Sequence, residues 1–245
     1  MFQRIFLTAL IAGAVAGLFT AGVQRIKIIP LIERAEVYEA GEAHGRDAGA
    51  GLTAAWQPQA GLERAGFTAL ADVLAGIGFA LLLTGAIALA GLRGYAINAR
   101  WGLLWGAAGF TVFALAPALG LPPLPPGMEA AGLAQRQVWW IATAATTALG
   151  LGLILFPRRL VYPMIGVGFL ILPHLIGAPE PPEIGGRVPS GIVAEFVVAS
   201  LAAAGLFWLL LGAITGWLYH RLGRAFARSR ASKAVVQPSS YGSEQ

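Results

Sequence analysis

Apolar and polar positions alternate along this chain on the scale of whole segments rather than single residues. Six apolar stretches, near 5–23, 67–91, 101–121, 138–156, 160–177 and 192–219, are divided by shorter polar ones that hold most of the charge. Most approach the roughly 20 residues that carry a helix across a bilayer, and the fifth is the shortest. The pattern predicts an all-α fold, a polytopic membrane helix bundle of about six transmembrane helices. The first stretch has Arg4 ahead of Ile5 to Phe19 and an Ala14-Val15-Ala16 run, the form of a secretory signal peptide. We read it as a retained helix, because Gly13 and Gly17 make a GxxxG packing face and its loss would break the charge pattern of the rest.

An even number of spans puts both termini on one side. Arg4, Arg93, Arg100, Arg158, Arg159, Arg221, Arg224, Arg228, Arg230 and Lys233, 10 of the 17 cations, fall on that side, which is therefore expected to be cytoplasmic. Of the other seven, five lie in one long loop, where the rule is weaker. The acids sort more sharply. Glu33, Glu36, Glu39, Glu42, Asp47, Glu63, Glu129, Glu180 and Glu183 fall in outer loops, Asp72 and Glu195 lie near the outer ends of the second and sixth spans, and Glu244 alone is cytoplasmic. Eleven of 12 carboxylates on one face make a negative vestibule that concentrates cations at the mouth of the bundle.

The outer loop, 24–66, exceeds the usual length of a structureless connection. Pro30 suits a helix N1 position, Gly41 a C-terminal stop, and Leu31, Ala35 and Tyr38 recur as an apolar stripe. They predict a separate helix lying against the membrane surface or the bundle, followed by a Gly- and Ala-rich remainder. Domain organisation is then a bundle over 1–220, including this acidic loop, and a basic tail over 221–245 that is expected to be disordered.

Composition agrees: 57% of residues are hydrophobic and 12% charged, against about 45–50% and about 25% in soluble domains. The absence of Cys excludes disulfides, thiolate metal sites and Cys nucleophiles. The net charge of +5 raises nucleic acid as a partner, but the cations flank apolar segments, where they act as topology signals, and no nucleic-acid role is expected. No phosphate-binding loop, HExxH, GxSxG or dinucleotide fingerprint is present, so an enzyme is not expected, and any energy input must come from a gradient, the membrane potential or a partner.

Three constellations carry candidate chemistry. The first is Glu33, Glu36, Glu39, Glu42 and His44, whose three-residue spacing sets carboxylates on a drifting helix face able to hold a divalent cation, or equally makes a solvated acidic face. The second is His174 after Pro173, placed to project an imidazole, a ligand for late first-row metals, into a bundle mouth. An interfacial His bonded to a carbonyl or water has the same signature. The third is the pair Asp72 and Glu195, ionisable residues inside spans, which either serve an ion path or pair at headgroup depth with Arg64 or Arg187. Trp101, Trp105, Trp139, Trp140, Trp217 and Tyr219 fit an interfacial belt, Thr143, Thr146 and Thr147 make a mildly polar face on the fourth span, and Gly102 with Gly106 and Gly212 with Gly216 repeat the close-packing spacing.

The opening MFQRIFLTALIAGAVAG, the PLIERAEVYE stretch and the PHLIGAPEPPE element after the fifth span resemble the CbtA family, cobalt transporter subunits of bacteria, over residues 1 to about 220. The resemblance implies an inner-membrane Co²⁺ importer component working with CbtB, a small single-span protein with a His-containing metal-binding end. In that reading Glu36, Glu39 and His44 capture the ion, His174, Asp72 and Glu195 line its way in, and no cofactor is permanently bound. Mixed imidazole and carboxylate ligands accept Ni²⁺, Mn²⁺ or Zn²⁺ nearly as well. The rival reading is a non-transporting membrane scaffold or regulatory subunit that docks a partner through its acidic loop.

Overall fold

The computed structural model describes residues 2–43, 61–157, 159–181, 186 and 188–236, with side chains described to residue 38 of the first stretch and residue 228 of the last. Helix α1 (Phe2–Val23), a π-helical turn (Gln24–Ile28) and α2 (Ile29–Ala43) form one uninterrupted rod. This corrects the expectation that a separate helix starts at Pro30. Proline lacks an N–H and its ring crowds the carbonyl four residues back, which normally breaks a helix. Here the preceding turn widens instead, and the N–H of Ile29 reaches the carbonyl of Gln24, five residues back. Residues 44–60, with the rest of the expected loop, lie outside the described residues.

The chain continues through α3 (Leu62–Leu92), then α4 (Ala99–Phe110), prolonged by a second π turn (Thr111–Leu115) and α5 (Ala116–Ala118). Helices α6 (Leu133–Leu155), α7 (Val161–Ile176) and α8 (Ser190–Val236) complete it. Among the described residues, one isolated bridge, Met128 with Gly186, is the only strand-like pairing. Among the described residues, five helices are long and apolar enough to cross a membrane. The fifth apolar segment, α7, has 16 residues, about 24 Å at 1.5 Å per residue.

Although short, α7 runs the height of the bundle. Phe156, just before it, stacks edge-on with Tyr95 in the α3–α4 connection at 5.2 Å, and His174 near its far end meets Trp139 at 6.1 Å. The six apolar segments thus alternate between two ends. At the terminal end, Arg4 Nε donates to the carbonyl of Tyr219 at 2.7 Å, so the start of α1 and the later part of α8 share one side. The opposite end carries the described carboxylates.

Glycine sets the helix contacts. Gly13 and Gly17 of α1 lie against the backbone of α3 at Gly76, Ile77, Asp72 and Val73, with no room for a Cβ. Gly102 and Gly106 of α4 meet Gly212 and Gly216 of α8 in the same way. Small-residue faces of this kind let two backbones approach where lipid supplies no hydrophobic drive. Gly76, and Gly150 of α6 against Gly166 of α7, are further contacts of the kind. The core of α1, α3, α4 and α8 is closed by Ile87, Leu211 and an aromatic cluster in which Phe113 stacks on Trp208 at 5.4 Å. The α6–α7 pair leans on this group through Trp140 on Phe113 and Phe156 on Trp105.

Two further expectations meet the structure. Leu31 and Ala35 are buried, Ala35 with Val188 and Ile192, so α2 docks on the bundle, while Tyr38 of the same stripe stays exposed. The tail expected to be disordered from residue 221 is helical as far as Val236. Its Ala, Arg, Leu and Phe residues are adequate helix formers, and the first proline after Pro189 is Pro238.

Candidate functional site

Asp72 lies ten residues into α3, about 15 Å from the helix start. Gly17 is what brings α1 to it: the missing side chain lets α1 touch the backbone of α3 at Asp72 and Val73. Two turns further along the same rod, the widened turn begins at Gln24, and the Gln24 side-chain amide donates to Asp72 Oδ1 at 3.1 Å. Asp72 Oδ2 is buried and has no hydrogen-bond partner among the described residues. The proline just beyond supplies no N–H, so one carbonyl of the π turn lacks its intrahelical donor. A carboxylate oxygen, an amide and a loosened turn of backbone therefore meet at one level of the bundle.

The other acids are placed differently. Glu195 of α8 accepts from Arg34 of α2 at 3.2 Å, and both side chains are more than half exposed. Glu36 of α2 lies 3.9 Å from Arg64 of α3. Both pairs tie α2 to its neighbours, yet exposed pairs of this kind contribute only about 0–1 kcal/mol. Of the arginine partners offered as one alternative for Asp72 and Glu195, Arg64 pairs with neither: Glu195 takes Arg34, Arg64 goes to Glu36, and Asp72 takes an amide.

His174 sits in the last turn of α7 after the buried Pro173, and Gly177, at φ 87°, ends the helix there. Its ring stands edge-on to Trp139 of α6, in the α6–α7 pair rather than in the group that holds Asp72 and Glu195. Glu39 belongs to α2, but its side chain and all of His44 lie outside what is described. Among the described residues no three His, Asp or Glu side chains gather to hold a metal ion.

Sequence reasoning missed Gln24 and Arg34. The signal for Gln24 was present, since a polar side chain closing an apolar run is costly unless it meets a partner. It also missed a cavity of about 920 Å³ beside His174's end of the bundle, lined by Leu121, Met128, Glu129, Arg136, Trp140 and Pro181.

The model of the CbtA family, described as probable cobalt transporter subunit, matches residues 2–220. No curated protein and no solved structure matches the chain.

Proposed function

Because the chain belongs to the CbtA family of probable cobalt transporter subunits, we propose that it is the membrane subunit that admits Co²⁺ from the acidic end of the bundle to the cytoplasm. The terminal end, richer in Lys and Arg, is then cytoplasmic, the membrane is the bacterial inner membrane, and the metal is destined for cobalamin-related use. The observation that carries this is Asp72, a carboxylate inside a span with one oxygen buried and unpartnered among the described residues.

The geometry supports a relay rather than a cage. Glu36 and Glu195 sit in exposed ion pairs whose disruption costs at most about 1 kcal/mol. An arriving divalent cation displaces Arg64 or Arg34, gains a carboxylate, and is handed toward Asp72 and the π-turn carbonyl that Pro30 leaves without a donor. Glu39, His44 and His174 complete the proposed capture set. Remaining coordination positions are filled by water or by a CbtB-like partner, whose presence fits a site that one chain leaves incomplete. Oxygen and imidazole ligands alone favour nickel and copper over cobalt, so preference for cobalt comes from geometry or supply.

The test is uptake of radioactive cobalt by cobalt-starved cells lacking other importers, with the chain expressed alone and with a CbtB-like partner, and with excess nickel as competitor. Asp72→Asn is expected to abolish most uptake, and His174→Ala with Glu36→Ala to reduce it. Normal uptake by Asp72→Asn at equal expression overturns the site. A correctly inserted chain that moves no cobalt in either condition favours the alternative, a scaffold docking a partner through its acidic loop, which the arginine pairing of Glu36 and Glu195 also accommodates.

A further inference from the structure

The terminal end has the opposite chemistry to the acidic end. Arg4, Arg93, Arg100, Arg221, Arg224 and Arg228 are described there, and the ion pairs Arg34–Glu195 and Arg64–Glu36 both belong to the other end. Arg4 is held in a fixed pose. Its Nε donates to the Tyr219 carbonyl, its guanidinium lies 3.5 Å over the Tyr219 ring, and Gly223 clears the space its terminal nitrogens fill. No carboxylate among the described residues pairs with it. It faces a cavity of about 410 Å³ whose walls include Ala88, Leu92, Ile97, Phe226 and Ala227. Leu92 is 69% exposed and Phe226 38%, so the cavity has an apolar wall open to its surroundings. Arg224 and Arg228 lie on the same stretch of α8 and are exposed.

A preset guanidinium without a counter-ion is a receptor for phosphate oxygens, and basic pockets between helices on the cytoplasmic side bind anionic headgroups. We propose that this cavity seats the phosphate of an anionic phospholipid, with an acyl chain along Leu92 and Phe226. Inorganic phosphate offers the same oxygens, but the exposed apolar wall is matched by a lipid alone. Occupation of the site ties α1 to α8 beyond the Arg4–Tyr219 bond and stabilises that end of the bundle.

The test uses the full chain purified in a nonionic detergent and titrated with dioleoyl phosphatidylglycerol, dioleoyl phosphatidylcholine or inorganic phosphate, read by native mass spectrometry and by the melting temperature from Trp fluorescence. Phosphatidylglycerol is expected to bind more tightly than phosphatidylcholine and to raise the melting temperature, and inorganic phosphate to do neither. Arg4→Gln is expected to lower the preference about fivefold, the effect of one cation near an anionic surface. Ala227→Trp, which fills the cavity from its exposed rim and leaves every charge in place, is expected to lower it as well, and decides the matter if Arg4→Gln does not fold. Equal binding of the two lipids by the wild type overturns the proposal. So does a preference unchanged in Ala227→Trp, which would mean diffuse surface attraction, or equal stabilisation by inorganic phosphate, which would mean a free anion.

Discussion

Replacing Gly212 by Ala tests whether backbone contact between α4 and α8 holds the bundle. A Cβ on Gly212 would fall 2.7 Å from both Cα and N of Gly106 and closer still to the carbonyl oxygen of Gly102. Ordinary carbon contacts begin near about 3.5 Å, so the helices must part by at least roughly 0.8 Å at this point. A gap of that size forfeits about a quarter to a half of each dispersion contact along the seam, and overpacking of this kind costs about 1–3 kcal/mol. Gly85 of α3 provides the reference, because a Cβ there meets nothing within 4 Å. Both substitutions gain the same roughly 0.5–1 kcal/mol from reduced backbone entropy. The difference in stability between Gly212→Ala and Gly85→Ala therefore isolates the packing loss, expected to be about 1–3 kcal/mol in favour of Gly85→Ala. Reversible denaturant unfolding in mixed micelles, followed by Trp fluorescence, measures it. Equal effects of the two substitutions would refute the close-contact account.

The exposed pair Arg34–Glu195 is expected to show a coupling energy of about 0.2–1 kcal/mol in a double-mutant cycle, and a value above about 2 would mean it is more than a surface tie. Thr147 is fully buried and its hydroxyl has no partner among the described residues, so Thr147→Val is expected to be neutral or to stabilise by up to about 1–3 kcal/mol in the same unfolding assay. A clear loss of stability would show that the hydroxyl is bonded. Gln24→Ala is expected to weaken cobalt uptake less than Asp72→Asn, because it removes the group that orients the carboxylate and leaves the charge; an effect as large as that of Asp72→Asn would make the amide itself a ligand.

The apolar segments and the glycine faces were legible because each is a local pattern. Six long runs have no place in a small soluble core, and Gly102 with Gly106, like Gly212 with Gly216, announces a flat helix face whatever its partner. That these two faces meet each other was not legible, nor was the Gly150–Gly166 contact, where neither glycine has a second one four residues away. Pro30 misled in the opposite sense: local chemistry marks a helix start, but tertiary contacts of Leu31 and Ala35 keep the rod continuous, and the strain is absorbed in the π turn. The candidate site was legible only as a set of acids near one end. Which of them keeps a free oxygen depends on contacts between residues 48 and 161 positions apart, set by helix register rather than by any spacing in the sequence.

The two ends of the bundle make the proposed inward movement of a divalent cation self-consistent. At the acidic end, carboxylates half-neutralised by arginine attract cations without trapping them, since a site that binds too well does not release. Asp72 is the deeper step, and beyond it the described residues offer no carboxylate toward the terminal end. There the unpaired arginines would repel an arriving cation. In the proposed orientation a potential of about 100 mV, negative inside, supplies about 2.3 kcal/mol for each charge, or roughly 4.6 kcal/mol for Co²⁺, without any nucleotide. A lipid phosphate on Arg4 would lower the remaining barrier by cancelling one positive charge beside the exit. Transport by the reconstituted chain should then rise with the anionic lipid content of the vesicles and with an inside-negative potential, and Ala227→Trp should lose the first dependence while keeping the second.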